Sequence, residues 1–303
     1  MSDRMKHHSS KSIGIVLAIT GSLFWGASGV IAQFLMTTKQ VETSWLVGVR
    51  IFFAGVIMII IASLKYKKDV LAPIKNKKEL LTLFIFSLFG VNALQFSFFK
   101  AIATSNAATA TILQYLSPIF LVVFFIIESK KIPSKLTIIS ILLSLLGIVL
   151  LVTGGDISTL SISTEGLIWG LLAGFFGAFY IVQPRALLKK YGTLLVIGWG
   201  MLMGGGMLQI FYPFWHAAPK MDAATLSGVL FIVIFGTILS YMCLLKSTNY
   251  IPAQYASLLT SFEPLSSAVL SVLFLGVSLS KVELTSIAVI ILAVFLLSRA
   301  EDL

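Results

Sequence analysis

The chain has 303 residues, 58% of them hydrophobic and 11% charged, with 22 Lys and Arg against 12 Asp and Glu. A water-soluble domain carries about 25% charged residues, so this chain cannot cover a core in water and takes the bilayer as its solvent. The net charge of +10 sits in short loops between apolar runs, without a basic domain or an aromatic-basic motif, and argues against a nucleic-acid partner.

The apolar runs, in chain order, are Ile13–Met36, Ser44–Leu64, Leu80–Phe99, Ala107–Ile127, Leu136–Thr153, Gly166–Gln183, Leu194–Trp215, Ala224–Leu245, Ala253–Leu275 and Leu284–Ser298. Most have the roughly 17–25 residues that cross a hydrocarbon core; the last is short and is expected to begin near Val282. The first is longer than a secretory signal core and lacks a small-x-small cleavage site, so it reads as an uncleaved first helix. Short loops make neighbouring helices antiparallel hairpins, and the runs are not the alternating ten-residue segments of a membrane barrel. The expected class is all-α: a polytopic membrane bundle of ten transmembrane helices. The single cysteine, Cys243, lies in an apolar run and reads as a small buried hydrophobe.

Basic residues set the orientation. With the N-terminus inside, seventeen Lys and Arg fall on the cytoplasmic side and four (Lys39, Lys100, Lys220, Lys281) on the other, with Arg50 inside the second run. Both termini are therefore expected in the cytoplasm of a multi-pass protein of a bacterial-type plasma (inner) membrane.

Sliding the chain by 146 positions lays residues 90–151 over 236–297 with 14 identities in 62 positions. Gly90 meets Gly236, Lys100 meets Lys246, Ala107 meets Ala253, and Pro118 meets Pro264. At a slightly different offset Phe24-Trp25-Gly26-Ala27 falls on Phe175-Phe176-Gly177-Ala178. An odd number of helices per half makes the second half enter from the other side, so the two five-helix repeats are expected to be inverted, as in many secondary transporters. The expected layout is a cytoplasmic tail (1–12), a first repeat (13–153), an extracytoplasmic linker (154–165), a second repeat (166–299) and a short cytoplasmic tail (300–303). His7 and His8 fall in a tail expected to be unstructured.

These features resemble the drug/metabolite transporter superfamily, in particular its EamA-like ten-helix members. The likeness rests on Phe24-Trp25-Gly26, on Arg50-Ile51-Phe52, and on the paired stretches 107–127 and 253–275 with Ser117-Pro118-Ile119-Phe120 and Glu263-Pro264-Leu265 at their centres. It implies a basket-like bundle with a central cavity that works by alternating access as a metabolite exporter or exchanger. Many members carry a Gly-Glu pair where the Pro-bearing helix leaves the membrane. Here those places read Lys130-Lys131 and Gly276-Val277, so no role resting on those acids carries over.

Polar residues inside a membrane are costly and mark candidate sites. Ser22, Gly26, Gly29 and Gln33 form one stripe of the first helix, and Gly166, Gly170, Ala173, Gly177 and Tyr180 one of the sixth; small residues there also serve close packing. Asn92 and Gln95 share a face, as do Gln114 and Ser117. Their amides suit a zwitterionic or sugar-like ligand, or equally hydrogen bonds between helices. Trp25, Tyr241 and Gln254 add aromatic and polar surface, while Trp45 and Trp215 read as membrane-boundary residues. The candidate substrate-binding set is Trp25, Gln33, Asn92, Gln95, Gln114, Tyr180, Tyr241, Gln254 and Glu263. Pro118 and Pro264 are candidate hinges or static kinks. Gly204-Gly205-Gly206 either loosens its helix or admits a neighbour. Glu263 and Arg50 are the charges well inside spans: Arg50 is expected to be structural, and Glu263 to pair with it, hold substrate or carry a proton.

The expected function is secondary transport, by export or exchange, of a small polar metabolite such as an amino acid. The rivals are a channel or sensor without a transport cycle and an intramembrane enzyme. There is no phosphate loop, HExxH or His-acid cluster, so no catalytic residue, metal or cofactor is expected. The expected partners are a small-molecule substrate, the lipid bilayer and, under one reading of Glu263, a coupling proton.

Overall fold

The computed structural model describes residues 2–129, 134–156, 161–216, 218–251, 256, 259–297 and 299, apart from the side chains of 2–10, 125 and 129. The described residues are helical, without a strand. Eight helices are long and apolar enough to cross a membrane: α1 Ser2–Thr37, α2 Thr43–Tyr66, α3 Lys77–Thr104, α4 Ala107–Glu128, α5 Lys135–Thr153, α6 Thr164–Val182, α7 Thr193–Phe211 and α8 Ala223–Ser247. Two shorter apolar helices follow, α9 Phe262–Leu275 and α10 Lys281–Leu297. Helix α1 extends back through the expected unstructured tail. Residues 252–255, which hold the start of the ninth apolar run and Gln254, lie outside the described residues, as do Lys130, Lys131, 157–160 and 300–303.

Side chains with an oxygen start these helices by accepting the orphan backbone N–H groups of the first turn. Asn76 caps α3, Asn106 caps α4, Ser134 caps α5, Ser163 caps α6 and Asp222 caps α8. Asp222 also receives Lys39 Nζ at 2.6 Å. The Lys39 ammonium and the capping bonds from Thr225 hold the Asp222 carboxyl below the usual carboxylate range. That contribution is present above the ordinary carboxylate pKa and is lost as the pH falls through the lowered one. The pair is partly exposed, so it stabilises little.

The outside of the bundle is apolar: Leu64, Ile210, Leu273 and Phe274 are each exposed by 70% or more, which lipid tails would cover. The inside follows the repeat. Helix α2 packs on α7 and α5 on α10, each on its own counterpart. Helix α1 packs on α8 and α9, and α6 packs on α3 and α4. Exchanging the halves therefore exchanges the contacts.

Helices α3 and α8 share an irregularity. Each carries a π-helical turn, over Phe86–Ala93 and Ile234–Leu239. The 146-residue shift lays 86–93 over 232–239, so the two turns occupy equivalent places. A π-turn widens the helix by one residue and changes which side chains share a face.

Glycines set the approach of α2 and α7. A Cβ on Gly55 would meet Leu202 Cα at 2.6 Å, and one on Gly205 would meet the Ile51 carbonyl carbon at 2.9 Å. Both obstacles are backbone and cannot rotate away. A Cβ on Gly204 would meet the Asn92 amide, whereas Gly206 has nothing within 4 Å. The triplet thus admits neighbours at its first two positions. Gly55→Val should cost about 1–3 kcal/mol by overpacking and lower the melting temperature of the purified protein. Gly206→Ala, in open space, should leave it unchanged or slightly raised.

Candidate functional site

The site starts from two broken helices. Proline has no N–H and cannot continue an interior helical ladder. In α4 the chain leaves the helix at Tyr115 and Leu116, just before Pro118, and restarts as Ser117–Ser129. The Gln114 carbonyl, which would have bonded an N–H at Pro118, accepts the Ser117 hydroxyl instead at 2.7 Å. In α9 the equivalent break precedes Pro264: helix begins at Phe262, and the Thr260 carbonyl accepts Glu263 N–H at 2.9 Å. Both carbonyls released by proline are thus taken up locally.

Between the two breaks lies a cavity of about 380 Å³. Residues of α1, α2, α3, α4, α6, α8 and α9 line it, including Trp25, Arg50, Gln95, Gln114, Tyr180, Tyr241 and Glu263. It reaches toward the end of the bundle that holds the N-terminus, where Leu244, Thr248 and Ala256 line it. None of its lining residues belongs to the loops at the opposite end.

Arg50, 5% exposed, closes the inner end. Its Nε donates to Thr237 Oγ1 at 2.8 Å, Nη1 to Gln95 Oε1 at 2.9 Å, and Nη2 to the Gly236 carbonyl at 3.2 Å. Its guanidinium carbon lies 4.9 Å from the centre of the Phe99 ring. Thr237 and Gly236 sit in the π-turn of α8. The guanidinium thereby ties α2, α3 and α8 together. Glu263 is not within ion-pair distance of it: the ion pairs among the described residues are Lys39–Asp222 and Lys190–Glu79. The Glu263 carboxylate faces the cavity without a hydrogen bond or ion pair among the described residues.

One neutral group in the wall is also unspent: Gln114 Oε1 is buried without a hydrogen-bond partner among the described residues. The Trp25 and Tyr241 rings pack edge to face, 5.2 Å between centres.

The expected residues thus separate. Trp25, Gln95, Gln114, Tyr180, Tyr241 and Glu263 line the cavity, as do Arg50 and Pro118. Gln33 stands apart from it: its Oε1 accepts the Ala107 N–H at 2.7 Å and so helps start α4. Asn92 also stands apart, donating from Nδ2 to the Gly204 carbonyl of α7 at 2.9 Å. Pro264 is buried in α9 and absent from the lining, and Gln254 lies outside the described residues. Trp45 is 4% exposed and donates to the Phe214 carbonyl at 2.8 Å, whereas Trp215 is 70% exposed. Tyr115 and Phe98 line the cavity without having been singled out. Tyr115 had a signal, its position at the start of a proline break, where helical face arithmetic stops applying.

Comparison with known proteins gives a consistent picture. The profile of a family described as the EamA-like transporter family matches residues 12–153 and again 164–299. An uncharacterized inner membrane transporter of Salmonella typhimurium, YicL, is 37% identical over 285 residues, covering 94% of this chain and 95% of that one. An uncharacterized transporter of Bacillus subtilis, YyaM, is 24% identical over 271 residues, 86% of each chain. A solved crystal structure superposes with a TM-score of 0.64 at 16% identity, covering 94% of this chain and 96% of its own, and shows the shared fold.

The two cavity amides should behave differently on truncation. Gln95→Ala removes the acceptor of a buried guanidinium and should cost about 1–3 kcal/mol, read as a lower melting temperature. Gln114→Ala removes an oxygen that already lacks a partner and should leave melting nearly unchanged.

Proposed function

The chain belongs to the EamA-like transporter family, and from that membership we propose a secondary transporter, exporter or exchanger, that moves a small polar metabolite such as an amino acid across the bacterial plasma membrane by alternating access. The carrying observation is a cavity between two equivalent helix breaks that reaches one end of the bundle only. Discontinuous helices at the centre of inverted repeats are a recurrent way to build such a site. The excess of basic residues puts the N-terminal end, and with it the open end, in the cytoplasm. The substrate then enters among Leu244, Thr248 and Ala256 and stops below Arg50. The reverse state requires α1 and α6 to exchange their packing on α8–α9 and α3–α4, which the repeat makes near-equivalent.

Trp25, Gln95, Gln114, Tyr180, Tyr241, Gln254 and Glu263 are the proposed substrate-contacting set, with Gln33 and Asn92 holding helices around it. Pro118 and Pro264 are the proposed hinges. The unpaired Glu263 also supports a second reading, in which it takes and releases a coupling proton. Under that reading Glu263→Gln keeps exchange between equal pools and loses uptake driven by a pH gradient.

The test is counterflow in proteoliposomes loaded in turn with amino acids, amines, nucleosides and sugars. Saturable exchange of one class, lowered at least tenfold by Gln114→Ala at unchanged melting temperature, is expected; absence of exchange for every class contradicts the reading. Orientation has its own test. In a Cys243→Ala background, an impermeant maleimide should label Ser161→Cys on intact cells and not Lys67→Cys; the opposite pattern reverses the topology.

A further inference from the structure

The cavity wall has two charges among its described residues, Arg50 and Glu263, and the protein treats them differently. Every guanidinium nitrogen of Arg50 already donates to a protein acceptor, and its face covers Phe99. Three of its five N–H donors are thus spent, and a ligand carboxylate would find at most the two that remain on Nη1 and Nη2. The carboxylate of Glu263 has no hydrogen bond or ion pair among the described residues, and the Arg50 charge reaches it only at longer range. An isolated carboxylate in a low-dielectric cavity is costly, and a cation brought against it removes the cost.

The remaining wall fits the same ligand. The Trp25 and Tyr241 rings stand at the same cavity, with Tyr115 and Tyr180 beside them. Aromatic faces attract cations and do nothing for carboxylates. Gln114 carries an unspent oxygen, but its amide is neutral and can donate or accept, so it does not decide the charge. One alternative explains Glu263 without a ligand: it sits in the first turn of α9, where an acid complements the helix end. That accounts for an acid at this place in the sequence. It does not account for a carboxylate without a hydrogen bond or ion pair among the described residues at the wall of a cavity, when Asp222 at the start of α8 is held by both its cap and a lysine.

We propose that the central cavity selects organic cations, a primary ammonium attached to an apolar body, and that Glu263 with the aromatic wall around Trp25 and Tyr241 is the ammonium subsite. This rests on the cavity being the transport site and narrows its substrate from small polar metabolites to positively charged ones. Zwitterions, amino acids among them, and anions are disfavoured because the cation in the described wall already gives three of its five N–H donors to the protein.

Three probes with one aromatic body and different charge make the test: phenethylammonium, phenylalanine and 3-phenylpropionate. Each is titrated into the purified, unaltered protein by calorimetry. Phenethylammonium should bind at least tenfold tighter than the other two. Glu263→Gln should weaken it at least tenfold and Glu263→Asp much less, with melting temperature reporting whether each variant folds. Equal or tighter binding of phenylalanine or 3-phenylpropionate overturns the cation assignment while leaving the cavity a substrate site. Unchanged affinity in a folded Glu263→Gln variant overturns the subsite. No heat from any probe overturns the assignment as well, and amines failing in counterflow while another class exchanges does so without touching the transporter reading.

Discussion

A guanidinium in an apolar bundle has to be given acceptors by the protein around it, and this requirement organises the inner end of the cavity. Unpaired, a buried charge costs several kcal/mol. Here two helices supply the remedy: α3 brings Gln95 and Phe99, and α8 brings Thr237 and the Gly236 carbonyl. Both α8 groups lie in its π-turn. A charge on α2 thereby fixes where α3 and α8 meet it, and the cavity ends where they meet.

The consequence for chemistry is a matter of accounting for donors. Arg50 looks from composition like a site for anions, yet three of its five N–H donors are already given to the protein. Glu263, on the helix that proline breaks, is left facing open space. The two halves of the repeat are equivalent in backbone, with paired breaks, paired π-turns and exchanged contacts, but not in charge: Met201 occupies the region of α7 that answers to Arg50 in α2, and Ser117 stands where Glu263 does. Pseudo-symmetry supplies the two similar faces an alternating cycle needs, and the unmatched charges give the site its polarity.

Much of the architecture was legible because lipid imposes it. Apolar runs of spanning length can only be helices, and the repeat survives as a fixed 146-residue shift. The positions of helix starts also follow local chemistry, as Asn76, Asn106, Ser134, Ser163 and Asp222 show. The partnerships inside were not legible. Gln95 and Gln114 are the same residue type on similar faces, yet one is bound to Arg50 and the other unspent, a difference set by a residue of α2 that lies 45 positions from Gln95 in sequence. Gln33 reads as a ligand group and serves the start of α4, because the N–H it satisfies belongs to another helix. Thr237 and Asn92 lie in π-turns, where a 3.6-residue period points to the wrong face. Tyr115 is hidden for the same reason by the break before Pro118.

The claim on which the account turns is that the protein itself holds Arg50. A double-mutant cycle on melting stability measures it directly, pairing Gln95→Leu with Thr237→Val. The two side chains act on one guanidinium, so the account predicts non-additivity of about 0.5–3 kcal/mol. Additive effects, within about 0.5 kcal/mol, would mean that Arg50 is not held between them and would return it to the cavity as a free cation.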